Sequence, residues 1–223
     1  MKRLENGLLV ILEGGEGAGK TTQAKALVDY YNNNGYIAKY LREPGGDKLA
    51  EDIRNLILYN DMDATTETLM MAAARNINVQ NNILPALKDG NIVILDRFTK
   101  STLVYQGILG NGDMDFINAC NDKVASVLKD YDVMEFTLLC DPEVAIKRAA
   151  SDGHERNKFD VLPLEKYKKI NDAYDSLCTD SLYRNYFMIN TSNLMRYEVL
   201  RKMIQQIDYT IRMKVVYGGT NED

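Results

Sequence analysis

Residues 12–22 read LEGGEGAGKTT, with four glycines, a closing lysine and two threonines, and the apolar run LLVIL at 8–12 leads into them. Gly14, four residues and then Gly19-Lys20-Thr21 satisfy the spacing G-x-x-x-x-G-K-[ST]. That pattern is informative because of what each position can do. Gly14, Gly15, Gly17 and Gly19, with Ala18, let successive backbone N–H groups turn inward as an anion nest at a helix N-terminus. Lys20 reaches the terminal phosphates of a nucleotide, Thr21 supplies a hydroxyl for Mg²⁺, and Thr22 continues the helix start. Glu16 is the only charged side chain inside the loop. A glycine-rich turn between strand and helix is the plainer alternative.

Outward from this loop, short β-type runs alternate with helical patterns: LLVIL (8–12), YIAKYL (36–41), NIVIL (91–95), MEFTLLC (134–140) and YFMIN (186–190). Between them, apolar residues recur at helical spacing, as in Ala24, Leu27, Val28 and Tyr31. This alternation predicts an α/β fold with a five-stranded, mostly parallel sheet and helices on both faces. Asp113 is placed to cap a helix starting at Met114, Pro142 falls in a first helical turn, and Gly90 stops a helix after Lys88. The stretch 66–88 reads as one long helix that Pro85 breaks or kinks near its end. We expect a single domain over 1–216, with a polar lid at about 150–160 (SDGHERNKFD covers 151–160) and a frayed tail at 217–223.

Composition narrows the function classes. The formal net charge is −5 and the 27 basic residues are scattered, so no basic stripe marks a nucleic-acid footprint. Three cysteines, Cys120, Cys140 and Cys178, show no C-x-x-C spacing, which favours reduced thiols in a cytoplasmic protein. One histidine, His154, excludes a multi-histidine metal site. The leading apolar run is only five residues before Glu13, so it reads as a strand and not as a signal or membrane segment.

A phosphate loop needs a carboxylate for its metal at the end of a neighbouring strand, and NIVILDRF provides Asp96 with Arg97 beside it. Asp96 as an N-cap for a helix near Thr99 is the alternative. After the second strand, LREPGGDKLAEDIR (41–54) carries Arg42 and Arg54, which could hold a second anion, on a sharp turn through Pro44. An ordinary surface loop would read the same way.

REPGG, the loop EGGEGAGKTT, the Asp96-Arg97 pair and STLVYQG (101–107) together resemble the thymidylate kinase family, over about residues 8–192 in matching order. The resemblance implies a P-loop nucleoside monophosphate kinase fold and transfer of a phosphate from ATP to dTMP. It further implies that Lys20 and the loop amides hold the donor phosphates and that Thr21 and Asp96 organise magnesium. Glu16 would lie near the acceptor sugar, while Arg42 and Arg97 would lie near the acceptor phosphate. Arg75 would reach the acceptor's base or phosphate, Ser101, Thr102 and Tyr105 would line base and sugar, and Thr191 would flank adenine. Read alone, Arg75 could be a surface arginine, Tyr105 core, and Glu16 a loop-tip charge.

Some thymidylate kinases carry an arginine within the phosphate loop and others bring it from a lid. Gly17 occupies that place here, so the resemblance sends the search for a cation to the lid, with Arg156 for the γ-phosphate and Arg148 for donor contacts. Lys158 is a weaker candidate and His154 reads as a lid surface residue. Two positions depart from the family: Met71 stands where an aromatic stacks on thymine, and Asn157 follows Arg156 where eukaryotic members have tyrosine. Met71 leaves open a broader or altered base specificity, such as dUMP, or a place in the helix core. A nucleotide-dependent switch is the rival from another class, disfavoured because no N-K-x-D guanine motif is present. The resemblance also implies a homodimer built on the 66–88 and 114–127 helices.

Overall fold

The computed structural model describes residues 1–151, 163–177 and 185–217. Five strands form one sheet: β1 (Leu8–Gly14), β2 (Ala38–Arg42), β3 (Ile92–Asp96), β4 (Val133–Leu139) and β5 (Asn185–Asn190). Their spatial order is β2-β3-β1-β4-β5 and every pairing is parallel. All five correspond to the apolar runs read from the sequence.

The central strand explains why that reading succeeds. β1 is flanked by neighbours on both edges and covered on both faces, so every residue of LLVILEG is buried. A strand of this kind reads as a continuous apolar run rather than an alternation. One face presents Leu8, Val10 and Leu12 to Ala24, Leu27 and Tyr31 of α1 (Lys20–Asn33) and to Val199, Met203 and Ile207 of the final helix. The other presents Leu9 and Ile11 to Val79, Ile83, Leu87, Val124 and Leu128. Each fully buried Leu or Ile stabilises the fold by roughly 1.5–3 kcal/mol.

The helices are α2 (Lys48–Tyr59), α3 (Ala64–Asn78), α4 (Leu84–Lys88), α5 (Thr99–Thr102), α6 (Met114–Ala125), α7 (Pro142–Ser151), α8 (Leu164–Ser176) and α9 (Arg196–Tyr217). Asp113 caps α6 as expected, accepting from the N–H groups of Asp115 and Phe116, and Gly90 takes a φ of 74° just beyond α4. The expected break in the 66–88 helix falls before Pro85, as a π-helical turn at Val79–Ile83 between α3 and α4. Proline lacks an N–H and its ring crowds the carbonyl four residues back, which the wider turn accommodates. A second π-helical stretch, Leu103–Leu109, follows α5.

Strand register positions the functional edge. Leu12 pairs with Asp96, Arg42 also pairs with Asp96, and Gly14 pairs with Leu138. Three strand ends therefore deliver the glycine-rich loop, REPGG and Asp96-Arg97 to the same carboxyl edge of the sheet, where open α/β folds bind ligands. Residues 152–160 of the expected lid, with His154, Arg156, Asn157 and Lys158, lie outside the described residues, as do Cys178 and residues 218–223 of the expected tail.

Candidate active site

The loop between β1 and α1 needs its glycines: Gly14, Gly17 and Gly19 take φ values of 140°, 75° and 96°. A Cβ on Gly17 would collide with the carbonyl oxygen of Ala145 in α7. The place where a loop arginine could have stood is thus closed by conformation and by packing together. Lys20 is 5% exposed, and its Nζ donates to the Gly15 carbonyl at 2.7 Å, folded across the mouth of the loop. Burial, reinforced by the nearby Arg97, lowers its pKa to about 8, despite Glu16, Asp96 and Glu13.

Thr21 Oγ1 donates to Asp96 Oδ2 at 2.6 Å, so the first turn of α1 and the end of β3 meet through these two oxygens. Tyr40 Oη lies 3.4 Å from the same carboxylate oxygen. Burial and the Asp96 charge push the Tyr40 hydroxyl up to about 12, so it stays a hydrogen-bond donor to Asp96 at neutral pH. Asp96 does not cap α5; the residue at that helix's N-cap is Phe98.

Arg97 is a hub of contacts at this edge of the sheet. It adopts a positive φ of 73°, uncommon for a side-chain-bearing residue, and its Nη1 donates to the Gly14 carbonyl at 3.1 Å. Nη2 reaches Glu16 Oε2 at 3.3 Å, and the guanidinium lies 5.3 Å from the Tyr105 ring centroid. Beneath it, the fully buried Glu13 accepts from the Phe98 and Ser101 N–H groups, from Ser101 Oγ at 2.6 Å and from Tyr174 Oη. Glu13 thereby ties the phosphate loop's strand to the segment carrying Arg97 and Ser101. The sequence reading assigned it no role, because a lone glutamate ending an apolar strand carries no motif of its own.

A cavity of about 110 Å³ adjoins the loop, lined by Glu16, Glu43, Pro44, Arg54, Ile57, Leu58, Met71, Arg97, Ser101, Tyr105 and Gln106. Seven sequence candidates therefore converge on one space: Glu16, Pro44, Arg54, Met71, Arg97, Ser101 and Tyr105. Arg42, Arg75 and Thr102 do not line it. Arg42 is held by Glu51, its Nη2 2.8 Å from Oε2, and Arg54 from the next helix lines the cavity instead, anchored to the Pro44 carbonyl. Arg75 is 1% exposed and donates to Glu43, Asn121, the Phe98 carbonyl and Thr102 Oγ1. It therefore fastens α3, α5, α6 and REPGG together, with Thr102 as one of its acceptors. Gln106 went unnoticed in the sequence, although it neighbours Tyr105 in STLVYQG.

Beyond the end of β5, Arg148 of α7 donates to Thr191 Oγ1, Thr191 O and Ser192 O, and its Nη1 lies 3.4 Å from Cys140 Sγ. Thr191 Oγ1 in turn lies 3.3 Å from the Ala18 carbonyl, so the end of β5 and α7 brace the phosphate loop.

Parallel strands, a nest of glycine amides, a paired Thr–Asp and an adjoining cavity rimmed by arginines define a P-loop nucleoside monophosphate kinase. The family model for thymidylate kinase matches residues 12–204. The thymidylate kinase of Clostridium novyi (strain NT) is 37% identical over 180 residues, covering 78% of this chain and 86% of the relative. That of Bacillus pumilus (strain SAFR-032) is 34% identical over 206 residues, covering 90% and 96%. The structure of thymidylate kinase from Ehrlichia chaffeensis superposes with a TM-score of 0.69 at 26% identity, covering 90% of this chain and 98% of that one. The chain belongs to the thymidylate kinase family.

Proposed function

We propose that this protein transfers the γ-phosphoryl group of ATP to the 5′-phosphate of dTMP, yielding dTDP and ADP, with Mg²⁺ bound at Thr21 and Asp96. The observation that carries the reading is the cavity of about 110 Å³ beside the phosphate loop, whose lining gathers Glu16, Arg97, Ser101 and Tyr105, a set suited to a second nucleotide. Lys20 and the loop amides hold the donor phosphates, Arg97 and Arg54 face the acceptor phosphate, and Glu16 faces the acceptor sugar. Arg148 and Thr191 form the adenine side, and Arg156 from the lid meets the γ-phosphate.

A hydroxyl on the exposed Thr21 and a carboxylate oxygen of Asp96, 2.6 Å apart, suit the hard, oxygen-seeking Mg²⁺. When bound, the ion neutralises charge on the transferring phosphate. The protein's own work is alignment. Ser101 is held by the buried Glu13, Arg97 is held by the Gly14 carbonyl and Glu16, and Tyr105 backs the guanidinium, so the acceptor phosphate meets a cation that does not reorganise. The acceptor phosphate is already an anion at neutral pH, and attack by it requires no protein base.

A second reading is a kinase of broader base range, accepting dUMP as well. Met71 favours it, because a thioether on the cavity wall is less directional than an aromatic face. ADP release measured with ATP, Mg²⁺ and each of dTMP, dUMP, dCMP, dGMP, dAMP and UMP separates the readings by their kcat/KM ratios. ADP release independent of every monophosphate would point to a nucleotide-dependent switch instead.

The assembly is a homodimer through α3 and α6, with the adjoining α2. Leu69 on α3 and Leu49, Leu56 and Tyr59 on α2 are exposed, as an apolar interface requires. Light scattering that gives a monomer at micromolar protein would remove this claim. Cys120 and Cys140 are free thiols, and no helix among the described residues is long and apolar enough to cross a membrane, in keeping with a cytoplasmic enzyme acting on free nucleotides.

A further inference from the structure

Gln106 is 3% exposed and lines the acceptor cavity. Its Nε2 donates to Glu67 Oε2 in the first turn of α3, at 2.8 Å. Its Oε1 is buried and meets no hydrogen-bond partner among the described residues. These facts are linked by chemistry. An ionised carboxylate only accepts, so it fixes which end of a neighbouring amide turns towards it. With the NH₂ end held by Glu67, the carbonyl end is left as the unsatisfied atom. A buried acceptor without a donor costs about 1–3 kcal/mol, a deficit that a ligand N–H removes.

The backbone supports the same arrangement. Gln106 lies within the π-helical stretch Leu103–Leu109, and both Tyr105 and Gln106 reach the cavity that Ser101 also lines. Its carbonyl accepts from the Gly112 N–H at 3.0 Å, so the residue is pinned by backbone and side chain together. Arg75 on α3, by contrast, donates to internal partners: Glu43, Asn121, the Phe98 carbonyl and Thr102.

We propose that Glu67, which does not itself line the cavity, is a positioning residue that sets the hydrogen-bonding polarity of the base pocket. It holds the Gln106 amide so that an acceptor oxygen awaits the base. Bases with an N–H at the N3 edge, thymine and uracil, satisfy that oxygen. Cytosine presents an acceptor at N3 and leaves both atoms unpaired, the kind of mismatch that polar sites reject most strongly. The inference deepens the proposed dTMP kinase reading and rests on it.

The test is Glu67→Gln, nearly isosteric and half-buried, which replaces an obligate acceptor with an amide that accepts either end of Gln106. The quantity read is the ratio of kcat/KM for dTMP to that for dCMP. It is expected to fall at least about tenfold, with KM for ATP unchanged. A role confined to structure would lower both substrates together and leave the ratio where it was. In a Gln106→Ala background the Glu67→Gln change is expected to leave the ratio within twofold, since the group it orients is gone.

Calorimetric binding of dTMP and dCMP to wild type and Glu67→Gln reads the same polarity without turnover, and circular dichroism confirms that each variant is folded. Wild type that turns over dTMP, with an unmoved ratio in Glu67→Gln, overturns the Glu67 proposal alone. Wild type that neither binds nor turns over dTMP overturns both readings.

Discussion

Thr21 Oγ1 donates to Asp96 Oδ2 across 2.6 Å, although 75 residues separate them in the chain. The two oxygens are brought together by the pairing of Leu12 with Asp96, which sets the end of β3 level with the start of the phosphate loop. Replacing Asp96 by Asn keeps the size and removes the charge. We expect kcat to fall by about a hundredfold or more at saturating Mg-ATP, because in the proposed mechanism the carboxylate contributes through the metal. A titration of rate against Mg²⁺ that shows Asp96→Asn within about threefold of wild type would sink the assignment.

Lys20 has a pKa lowered to about 8 in the free protein, against an ordinary 10.5. Its ammonium is therefore present below pH 8 and lost above it. Bound triphosphate, being anionic, raises that pKa, so binding near pH 8.5 takes up a proton and affinity falls as the pH rises through about 8. Calorimetry of ATP binding in two buffers of different ionisation enthalpy checks this; equal heats in both would refute it. The same shift has a stability consequence. Between about pH 8 and 10.5 the unfolded chain holds more protons at this site, so its contribution to stability rises with pH there.

Gly17 combines a φ of 75° with a backbone packed against Ala145. Gly17→Ala is expected to destabilise by about 2 kcal/mol or more, from the left-handed conformation plus the collision. Gly17→Arg, despite adding a cation where some thymidylate kinases have one, is expected to lose activity rather than gain it. Urea unfolding and kcat decide the matter, and an unshifted midpoint in Gly17→Ala would contradict the packing argument.

Lys100 and Glu135 form an ion pair at 2.6 Å with both side chains almost fully buried, and Lys100 Nζ lies 4.2 Å from the Tyr186 ring centroid. Burial raises the Glu135 pKa to about 7, with the Lys100 charge opposing the shift. Lys100→Met strands a buried carboxyl and is expected to cost roughly 3 kcal/mol at pH 8, whereas Lys100→Met with Glu135→Leu recovers most of it. In wild type, Glu135 holds its proton in the folded state up to about pH 7 but only to about 4.5 when unfolded, so its stabilising contribution is lost as pH rises across that window. Chemical unfolding from pH 5 to 8 measures both effects, and a double variant no more stable than the single would count against the pair.

Arg156 carries the prediction that rests on the family resemblance. Arg156→Ala is expected to reduce kcat by orders of magnitude while leaving dTMP affinity nearly intact, since the proposed role of the cation is at the γ-phosphoryl group in transfer. Single-turnover rates within about threefold of wild type would return the role to another group.

The sequence and the folded chain divide the explanation along a physical line. Local patterns read correctly where neighbouring residues dictate the outcome. LLVIL and NIVIL are apolar throughout because parallel strands are covered on both faces, and Asp113 caps α6 through contacts two and three residues away. Pro85 announced a distortion but not its place, because whether a helix breaks at the proline or widens before it depends on the packing of Val79 and Ile83 against β1.

Residue spacing by itself therefore determined the α/β class, the phosphate loop with Lys20 and Thr21, and the placing of Asp96 beside it. The resemblance to thymidylate kinases, together with the reading of LREPGGDKLAEDIR, gathered Glu16, Pro44, Arg54, Met71, Arg97, Ser101 and Tyr105 into one candidate list that a single cavity unites. Tertiary structure alone decided how the arginines divide. Arg42 turns to Glu51 and Arg54 reaches the cavity, while Arg75, which a motif match assigns to the ligand, is enclosed by Glu43, Asn121 and Thr102. Nor could the sequence join Glu13 to Ser101 or Glu67 to Gln106. The reason is that hydrogen-bond partners far apart in the chain are chosen by packing, and a guanidinium, carboxylate or amide takes whichever partner the fold brings within about 3 Å.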